Sequence, residues 1–456
     1  MFKKVLVANR GEIACRIIRA LREMNITSIA VYSQADKDAL HTQLADEAIQ
    51  IGPGNSLHSY QNPVAILAAA MVTGADAIHP GYGFLSERHD FIQMCEEVGM
   101  KFIGPKSQVV ELMGNKQNAR LTMKEAGVPI IPGSIGLVHT LDEAMDIAQT
   151  IGFPLMIKAA DGGGGKGMRQ VTHIDELPLL FDQAQQETQA NYGNQDLYIE
   201  RIIAPARHIE VQILADEHGN VIHLGERDCS LQRNHQKVIE IAPAPFLPED
   251  VRQKMYDESI QAAKSIGYWN AGTIEYLVDE NNEFYFMEMN TRLQVEHTIS
   301  EHISGIDIVK EQIKIAMKQP LSIKQEAISL KGYAIEVRLN AENPRADFLP
   351  ESGHIKRLLL PLGGLGLRVE TGVYSDYTLP PFYDSLIAKV VTYAPTFEEA
   401  VVIMQRALDE VVVEGIETNI ELLQDLVEIP QLLQGPLHTM WLQTIFMPSW
   451  LTKIEQ

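Results

Sequence analysis

The sequence predicts a mixed chain, part α/β and part α+β. An N-terminal parallel α/β domain spans 1–112, a helical connector 113–130, a small glycine-loop lid domain 131–203, and a mainly antiparallel sheet domain 204–456. Three observations predict it. Short apolar strands alternate with amphipathic helices to about residue 105, the pattern of a parallel sheet. A glycine run, Gly162 to Gly165 and Gly167, joins two short strands. Beyond 204 the pattern changes to strand hairpins.

The elements follow in order. Lys4 to Ala8 reads as a strand, Asn9 to Glu12 as its turn, and Ile13 to Met24 carries apolar residues at helical spacing. Ser28 to Tyr32 is the next strand. Ala75 to His79 is another, running into Pro80-Gly81-Tyr82-Gly83-Phe84. Ligands of such sheets gather outside the strand C-termini. Gly81 and Gly83 therefore either present the Tyr82 ring on a loop there or make a plain turn. A connecting helix is expected over 113–127. Phe153 to Ala159 and Met168 to Val171 flank the glycines, and Leu197 to Ile203 ends the lid. Ile209 to Ala215 pairs with Val221 to Glu226. Helices are expected around 301–318 and 397–410, and residues 448–456 read as a tail.

Composition narrows the function. A chain of 456 residues suits two to four domains. Lys and Arg number 38 against 60 Asp and Glu, a net charge of −22. That balance excludes a nucleic-acid or anionic-membrane surface, so an anionic substrate must be held by local donors. Cys15, Cys95 and Cys229 are widely spaced and odd in number, as expected of reduced thiols in the cytoplasm. The first residues lack a signal peptide's apolar core, and no uncharged apolar run approaches the roughly 18 residues of a membrane span.

Residues 284–297, Phe-Tyr-Phe-Met-Glu-Met-Asn-Thr-Arg-Leu-Gln-Val-Glu-His, carry most of the chemistry. Strand alternation puts Phe284, Phe286, Glu288 and Asn290 on one face. A hairpin turning at Asn281-Asn282 pairs residue 279 with 284 and sets Glu275 opposite Glu288. Two facing carboxylates and an amide are hard oxygen ligands, suited to Mg²⁺ that keeps other positions for water and phosphate. The competing reading is a solvated polar face, which the apolar Phe284 and Phe286 disfavour. If the chain stays extended, Arg292, Gln294 and Glu296 continue on the same side. Arg292 is then a fork for an oxyanion and Glu296 a proton acceptor; otherwise this is an exposed charged strand end.

Lys158-Ala-Ala-Asp-Gly-Gly-Gly-Gly-Lys-Gly-Met is neither a Walker loop nor a dinucleotide fingerprint. Joining two strands, it reads as a glycine hairpin whose N–H groups approach phosphate oxygens and whose flexibility suits a closing lid. Lys158 stands within reach of a phosphate. Glu200 and nearby backbone would meet a purine's amino edge in the cleft, with Ile203 against the ring. Residues 227–237 are rich in donors and read as a charged loop, with His235 and Lys237 on one side. Lys116 alone is a surface lysine.

Together these residues resemble the biotin carboxylases, the ATP-grasp component of acetyl-CoA carboxylase, from about residue 2 to 445. The likeness rests on Ala-Asn-Arg-Gly-Glu-Ile-Ala at 8–14, His-Pro-Gly-Tyr-Gly-Phe-Leu-Ser-Glu at 79–87 and Gly-Gly-Gly-Gly-Lys-Gly-Met-Arg at 162–169. It rests also on Glu-Arg-Asp-Cys-Ser at 226–230, Ala-Pro-Ala-Pro at 242–245, Glu-Met-Asn-Thr-Arg-Leu-Gln-Val-Glu-His at 288–297 and Pro-Pro-Phe-Tyr-Asp-Ser at 380–385. The resemblance implies an ATP-grasp fold. It implies ATP contacts from Lys116, Lys158, Gly164, Gly165, Met168, Glu200, Arg201, Ile202, Ile203, His208, Gln232, His235, Glu275, Leu277 and Glu288. Metal ligands would be Glu275, Glu288 and Asn290, for two Mg²⁺ or Mn²⁺ ions. Lys237, Arg292, Gln294 and Val295 would hold bicarbonate, Glu296 would take its proton, Arg338 would steady the biotin enolate, and Tyr82 would pack near biotin.

The implied partners are a biotin carboxyl carrier protein, carboxyltransferase subunits and a second copy of the chain, in the cytoplasm. Pyruvate or propionyl-CoA carboxylase is the alternative assembly. Asp161, Ile241, Thr298 and Leu365 depart from the family pattern where a glycine, a glutamate, a proline and an aromatic are usual. Arg19, Glu23 and Arg368 keep the family's dimer contacts, and Leu365 implies a weaker interface. Ala316-Met317-Lys318-Gln319 lacks the turn that biotinylation needs, so biotin is expected on another protein. A different ATP-grasp ligase would share the glycine loop and the acidic pair without needing Arg338. A nucleotide-binding regulator would have lost a ligand or Glu296, and neither is missing.

Overall fold

The structure, a computed structural model, describes residues 1–159 and 168–454. Five strands open the chain: β1 Lys4–Val7, β2 Thr27–Ser33, β3 Glu47–Gly52, β4 Ala77–His79 and β5 Lys101–Phe102. All pair in parallel, in the order β3-β2-β1-β4-β5. Strand order reverses at β1, so the loops after β1 and β4 lie side by side at a switch point. Asn9 Nδ2 joins them, donating to the carbonyls of Pro80 and Tyr82 at 2.7 Å each. Gly81 has φ +64°, and a Cβ there would lie 2.8 Å from that same nitrogen. Tyr82 therefore stands on a switch-point loop, which resolves the choice the glycines left open.

The connecting helix expected over 113–127 is Lys116–Glu125, and a second helix, Ser107–Gly114, runs up to it. Ser107–Gly114 and Lys116–Glu125 are separated by Asn115, whose side chain accepts from the Asn118 N–H at 2.9 Å. An asparagine with an N-cap side chain starts a new helix rather than continuing the old one.

The lid holds β6 Leu155–Ala159, β7 Met168–Val171 and β8 Leu197–Arg201, antiparallel in the order β7-β6-β8. Leu155, Ile157, Leu197 and Ile199 point into the lid's own core beneath helices Leu141–Ile151 and Leu177–Tyr192. Lys158 and Glu200 consequently face the other way. The expected glycine hairpin, with Asp161, Gly164 and Gly165, lies outside the described residues.

The remaining chain builds an eight-stranded antiparallel sheet. Its strands are β9 Ala206–Ala215, β10 Val221–Arg233, β11 Gln236–Ala242, β12 Asn270–Asp279, β13 Phe284–Asn290 and β14 Tyr333–Asn340, completed by Leu386–Ala394 and Leu367–Thr371. The order is β13-β12-β9-β10-β11-β14, then Leu386–Ala394, then Leu367–Thr371. In β9, Ile209, Val211 and Ile213 enter the hydrophobic core while His208, Glu210 and Gln212 take the opposite face. Residues 227–237, read as a charged loop, are instead the buried β10–β11 hairpin with Asn234 and His235 at its left-handed tip. Charge misled here because the groups pair with one another rather than with water.

The terminal segment is not a tail. Met447–Ile454 is a helix, Trp450 is buried in the core, and its Nε1 donates to Asp425 at 2.6 Å. Among the described residues no helix is long and apolar enough to cross a membrane.

Candidate active site

The β12–β13 hairpin sets the site's acidic edge. Glu275 pairs with Glu288 as the residue count predicts, but by another route. Asp279 N–H bonds Glu283 O at 2.9 Å and Asn282 has φ +62°, so the loop has three residues, and Val278 rather than 279 pairs with Phe284. A bulge at Met287 then adds one residue to β13 and restores the count at Glu288. The bulge also reverses the faces. Phe284, Phe286 and Met289 are core, so Glu288 and Asn290 do not share a face with the phenylalanines as expected. One extra residue flips every side chain beyond it.

Glu210, Glu275 and Glu288 therefore form a row of carboxylates across β9, β12 and β13. Opposed like charges are unfavourable, and two of the three acids, Glu210 and Glu275, are compensated by cations. Arg227, wholly buried, donates Nε to Glu210 Oε1 at 2.6 Å, Nη1 to Gln212 at 2.7 Å and Ser300 at 2.9 Å, and Nη2 to Gln294. Lys237 Nζ reaches Glu210 at 2.6 Å and Glu275 at 3.4 Å. Burial works against the Glu210 carboxylate, but Lys237 and then Arg227 hold it down to about 2. Glu275 is likewise buried and is held well below the ordinary range by Lys237 and His208, whose Nε2 lies 3.0 Å away. Glu288 has no such contact among the described residues; burial and the Glu275 charge push it up, eased by Lys116.

This donor set fits a divalent cation. Glu275 also accepts from Asn290 Nδ2 at 2.7 Å and Gln294 Nε2 at 2.6 Å, so the proposed ligands converge. A 2+ ion at the Glu275–Glu288 pair would relieve the repulsion that raises Glu288, with oxygen ligands of the kind Mg²⁺ takes. His208, Glu210 and Glu275 also bring ligand atoms within 4.8 Å of one another. Glu210 and Arg227 carry no predicted role. The alternation His208, Glu210, Gln212 within an otherwise apolar strand was the available signal for Glu210.

Beyond Asn290 the chain does not stay extended. It turns through 291–296, and Glu296 sits at the start of helix His297–Ser304. The turn still delivers the side chains to one place. Glu296 Oε1 accepts from Lys237 Nζ at 2.5 Å and its Oε2 from Arg338 Nη2 at 2.9 Å. Burial opposes its charge, yet Lys237 and Arg338 keep the carboxyl below its usual value. Arg338 also donates Nε to Glu240 at 2.7 Å. Arg292 Nε donates to Glu87 at 2.9 Å and its Nη2 to Asn290 at 2.7 Å. The Val295 carbonyl is held by the buried Lys389 at 2.7 Å. Lys389 also pairs with Glu12 at 3.1 Å, and Tyr82 Oη donates to Glu12. The switch-point loop and the sheet thus meet beside Arg338.

Glu240 and Glu336 lie directly opposite in the β11–β14 ladder, both fully buried. Burial pushes Glu240 to about 7 and Glu336 to about 8. Thr298, where the family pattern has proline, donates to Glu336. Ile241, where glutamate is usual, packs in the hydrophobic core. Glu87, Glu240, Glu336 and Lys389 have no sequence periodicity that singles them out.

The nucleotide residues divide. Lys158 and Glu200 meet as an ion pair on the lid's open face, and Met168 pairs with Lys158 across β6–β7. Gln232 Nε2 lies 3.5 Å from His208 Nδ1, and Leu277 faces His208 across β9–β12. Ile202 N–H donates to Pro154 O at 2.9 Å and Arg201 N–H to Pro132 O at 2.8 Å, tying the 200–203 segment to the stretches that enter the lid and lead into β6, with Ile203 half-buried beyond it. Lys116 begins its helix, within electrostatic reach of Glu288. His235 is exposed at the hairpin tip and makes none of the site's hydrogen bonds among the described residues.

Three family models match successive parts of the chain. The biotin carboxylase N-terminal domain matches residues 1–110, the carbamoyl-phosphate synthase L chain ATP-binding domain 115–324, and the biotin carboxylase C-terminal domain 336–444. Biotin carboxylase 1 of Bacillus subtilis is 52% identical over 445 residues, 97% of this chain and 99% of that protein. The chain belongs to the biotin carboxylase family. Its members are ATP-dependent ligases with the ATP-grasp fold. A pyruvate carboxylase subunit from Methanothermobacter thermautotrophicus is 49% identical, covering 96% of this chain and 89% of that one. Among solved structures, the biotin carboxylase domain dimer of Hydrogenobacter thermophilus 2-oxoglutarate carboxylase, with MgADP, ADP and bicarbonate, is 47% identical. It superposes with a TM-score of 0.90 over 97% of both chains. Campylobacter jejuni biotin carboxylase with a β-γ ATP complex gives 0.91 at 46% identity, covering 97% of this chain and 99% of that one.

Proposed function

We propose that this chain carboxylates biotin carried on a separate biotin carboxyl carrier protein, using ATP and bicarbonate, as the first half-reaction of acetyl-CoA carboxylase. The observation that carries the reading is Glu296 held between Lys237 and Arg338, next to the Glu275–Glu288 pair. An ionised base, an oxyanion site and a metal-type acidic pair stand together.

Lys237, Arg292, Gln294 and the Val295 backbone hold bicarbonate. Glu296 takes its proton, and the freed oxygen attacks the γ-phosphorus of ATP, expelling ADP and forming carboxyphosphate. Lys158 and Lys116 counter the phosphate charge. Bound Mg²⁺ or Mn²⁺, as two ions, would neutralise the charge on the transferring phosphoryl. Carboxyphosphate splits to CO₂ and phosphate in a site closed to water. Phosphate takes the biotin N1′ proton, Arg338 steadies the enolate, and N1′ captures CO₂. Tyr82 stands by the ureido ring. We infer the cytoplasm as its location, carboxyltransferase subunits as partners, and a homodimer through Arg19, Glu23 and Arg368. Leu365 is almost fully exposed there. The likeness to a pyruvate carboxylase subunit supports a second reading in which pyruvate is the final acceptor.

Arg338→Ala tests the biotin step. Bicarbonate-dependent ATP hydrolysis should fall less than about tenfold while biotin carboxylation falls about a hundredfold or more. Equal loss of both activities would remove Arg338 from enolate stabilisation.

A further inference from the structure

Arg120 is not among the residues the family likeness assigns, yet it occupies a particular place. It lies one turn after Lys116 on helix Lys116–Glu125, so both cations share a helix face. Its Nη1 donates to Glu200 Oε2 at 3.2 Å and its Nη2 to Ile131 O at 2.8 Å. Ile131 lies where the chain enters the lid from the connector, and Glu200 lies in β8, the last lid strand before the chain passes to the antiparallel sheet. Gly133 makes room, because a Cβ there would come within 3.1 Å of the Arg120 Nη2 and 2.5 Å of Ile199 O. The second Glu200 oxygen, Oε1, is held by Lys158. Glu200 is mostly buried, so it cannot exchange a lost partner freely for water.

Lys158 is the lysine that the ATP reading sends to a phosphate. To reach one it must leave Glu200, and a lone cation partner leaving would strand a mostly buried carboxylate. Rearrangement is possible because the two oxygens have different partners. We propose that Arg120 is a positioning residue for nucleotide binding: it keeps Glu200 paired when Lys158 transfers to phosphate, and so sets affinity for phosphate-bearing nucleotides in particular. The inference rests on the ATP reading above and adds a residue to it.

The test titrates the full chain and its Arg120→Met variant with MgADP and with adenosine, after circular dichroism shows both folded. ADP should bind the variant about tenfold more weakly, with adenosine affinity falling far less, because Lys158 stays on Glu200 when no phosphate is present. In a Lys158→Met background, Arg120→Met should have no further effect on ADP, because nothing then leaves Glu200. Equal loss of ADP and adenosine would make Arg120 only a lid tether and overturn the proposal. So would unchanged ADP affinity, or losses that add in the double variant. If the unaltered chain binds no ADP, the nucleotide reading itself fails, and this inference with it.

Discussion

Glu296→Gln is expected to lower bicarbonate-dependent ATP turnover by about 10²- to 10⁴-fold, the range for removing a positioned general base. The amide keeps the size of the side chain but cannot take a proton. Glu296 is already ionised at neutral pH, because Lys237 and Arg338 outweigh the cost of burying it. The sign follows from that depression. Its folded value lies below its ordinary 4.5, so the base form and the stability of its ion pairs persist above that value and are lost only as pH falls through the folded one. An acid limb of the rate profile near pH 6 or 7 must then come from another group, such as the substrate or the Glu240–Glu336 pair. ADP affinity should be unchanged in the variant, since the Glu296 side chain pairs with Lys237 and Arg338 and, among the described residues, with none of the lid residues. Steady-state ATPase with and without bicarbonate, beside ADP titration, checks this. A variant with normal turnover would take the base role away from Glu296.

Glu288→Lys is expected to abolish metal-dependent ATP turnover, a loss of at least about 10³-fold, with the fold intact. Glu288 is the acid of the row with no hydrogen-bonded cation among the described residues, and its carboxyl is raised by burial and by Glu275. A lysine there would neutralise Glu275 directly and put a fixed charge where the ion should sit. It would remove a like-charge contact, so the melting temperature should hold or rise. Turnover near normal, or a variant that unfolds, would each contradict a metal role carried on a stable scaffold.

Much of this site was legible in the sequence, and some of it for the wrong reason. The Glu275–Glu288 pairing followed from counting out of an assumed two-residue turn. The actual three-residue loop and the Met287 bulge err in opposite directions and cancel. Period-2 counting has no means of seeing a bulge, so the same count put Phe286 on the wrong face. Gln294 and Glu296 were placed together by assumed extension, whereas a turn into a helix brings them in. Arg227 looked like part of a solvated loop because sequence shows charge but not its partners. Glu210, Lys389 and Glu87 matter through contacts over 17 to 377 residues of separation, which no local pattern encodes. Lys116 and His235 were singled out only through family likeness.

The most direct test follows an oxygen atom. The account has a bicarbonate oxygen attack the γ-phosphorus and stay on phosphorus when carboxyphosphate splits. With ¹⁸O-labelled bicarbonate, unlabelled water and the intact chain, each inorganic phosphate released should carry one ¹⁸O from bicarbonate. Phosphate whose new oxygen comes from water instead would contradict it.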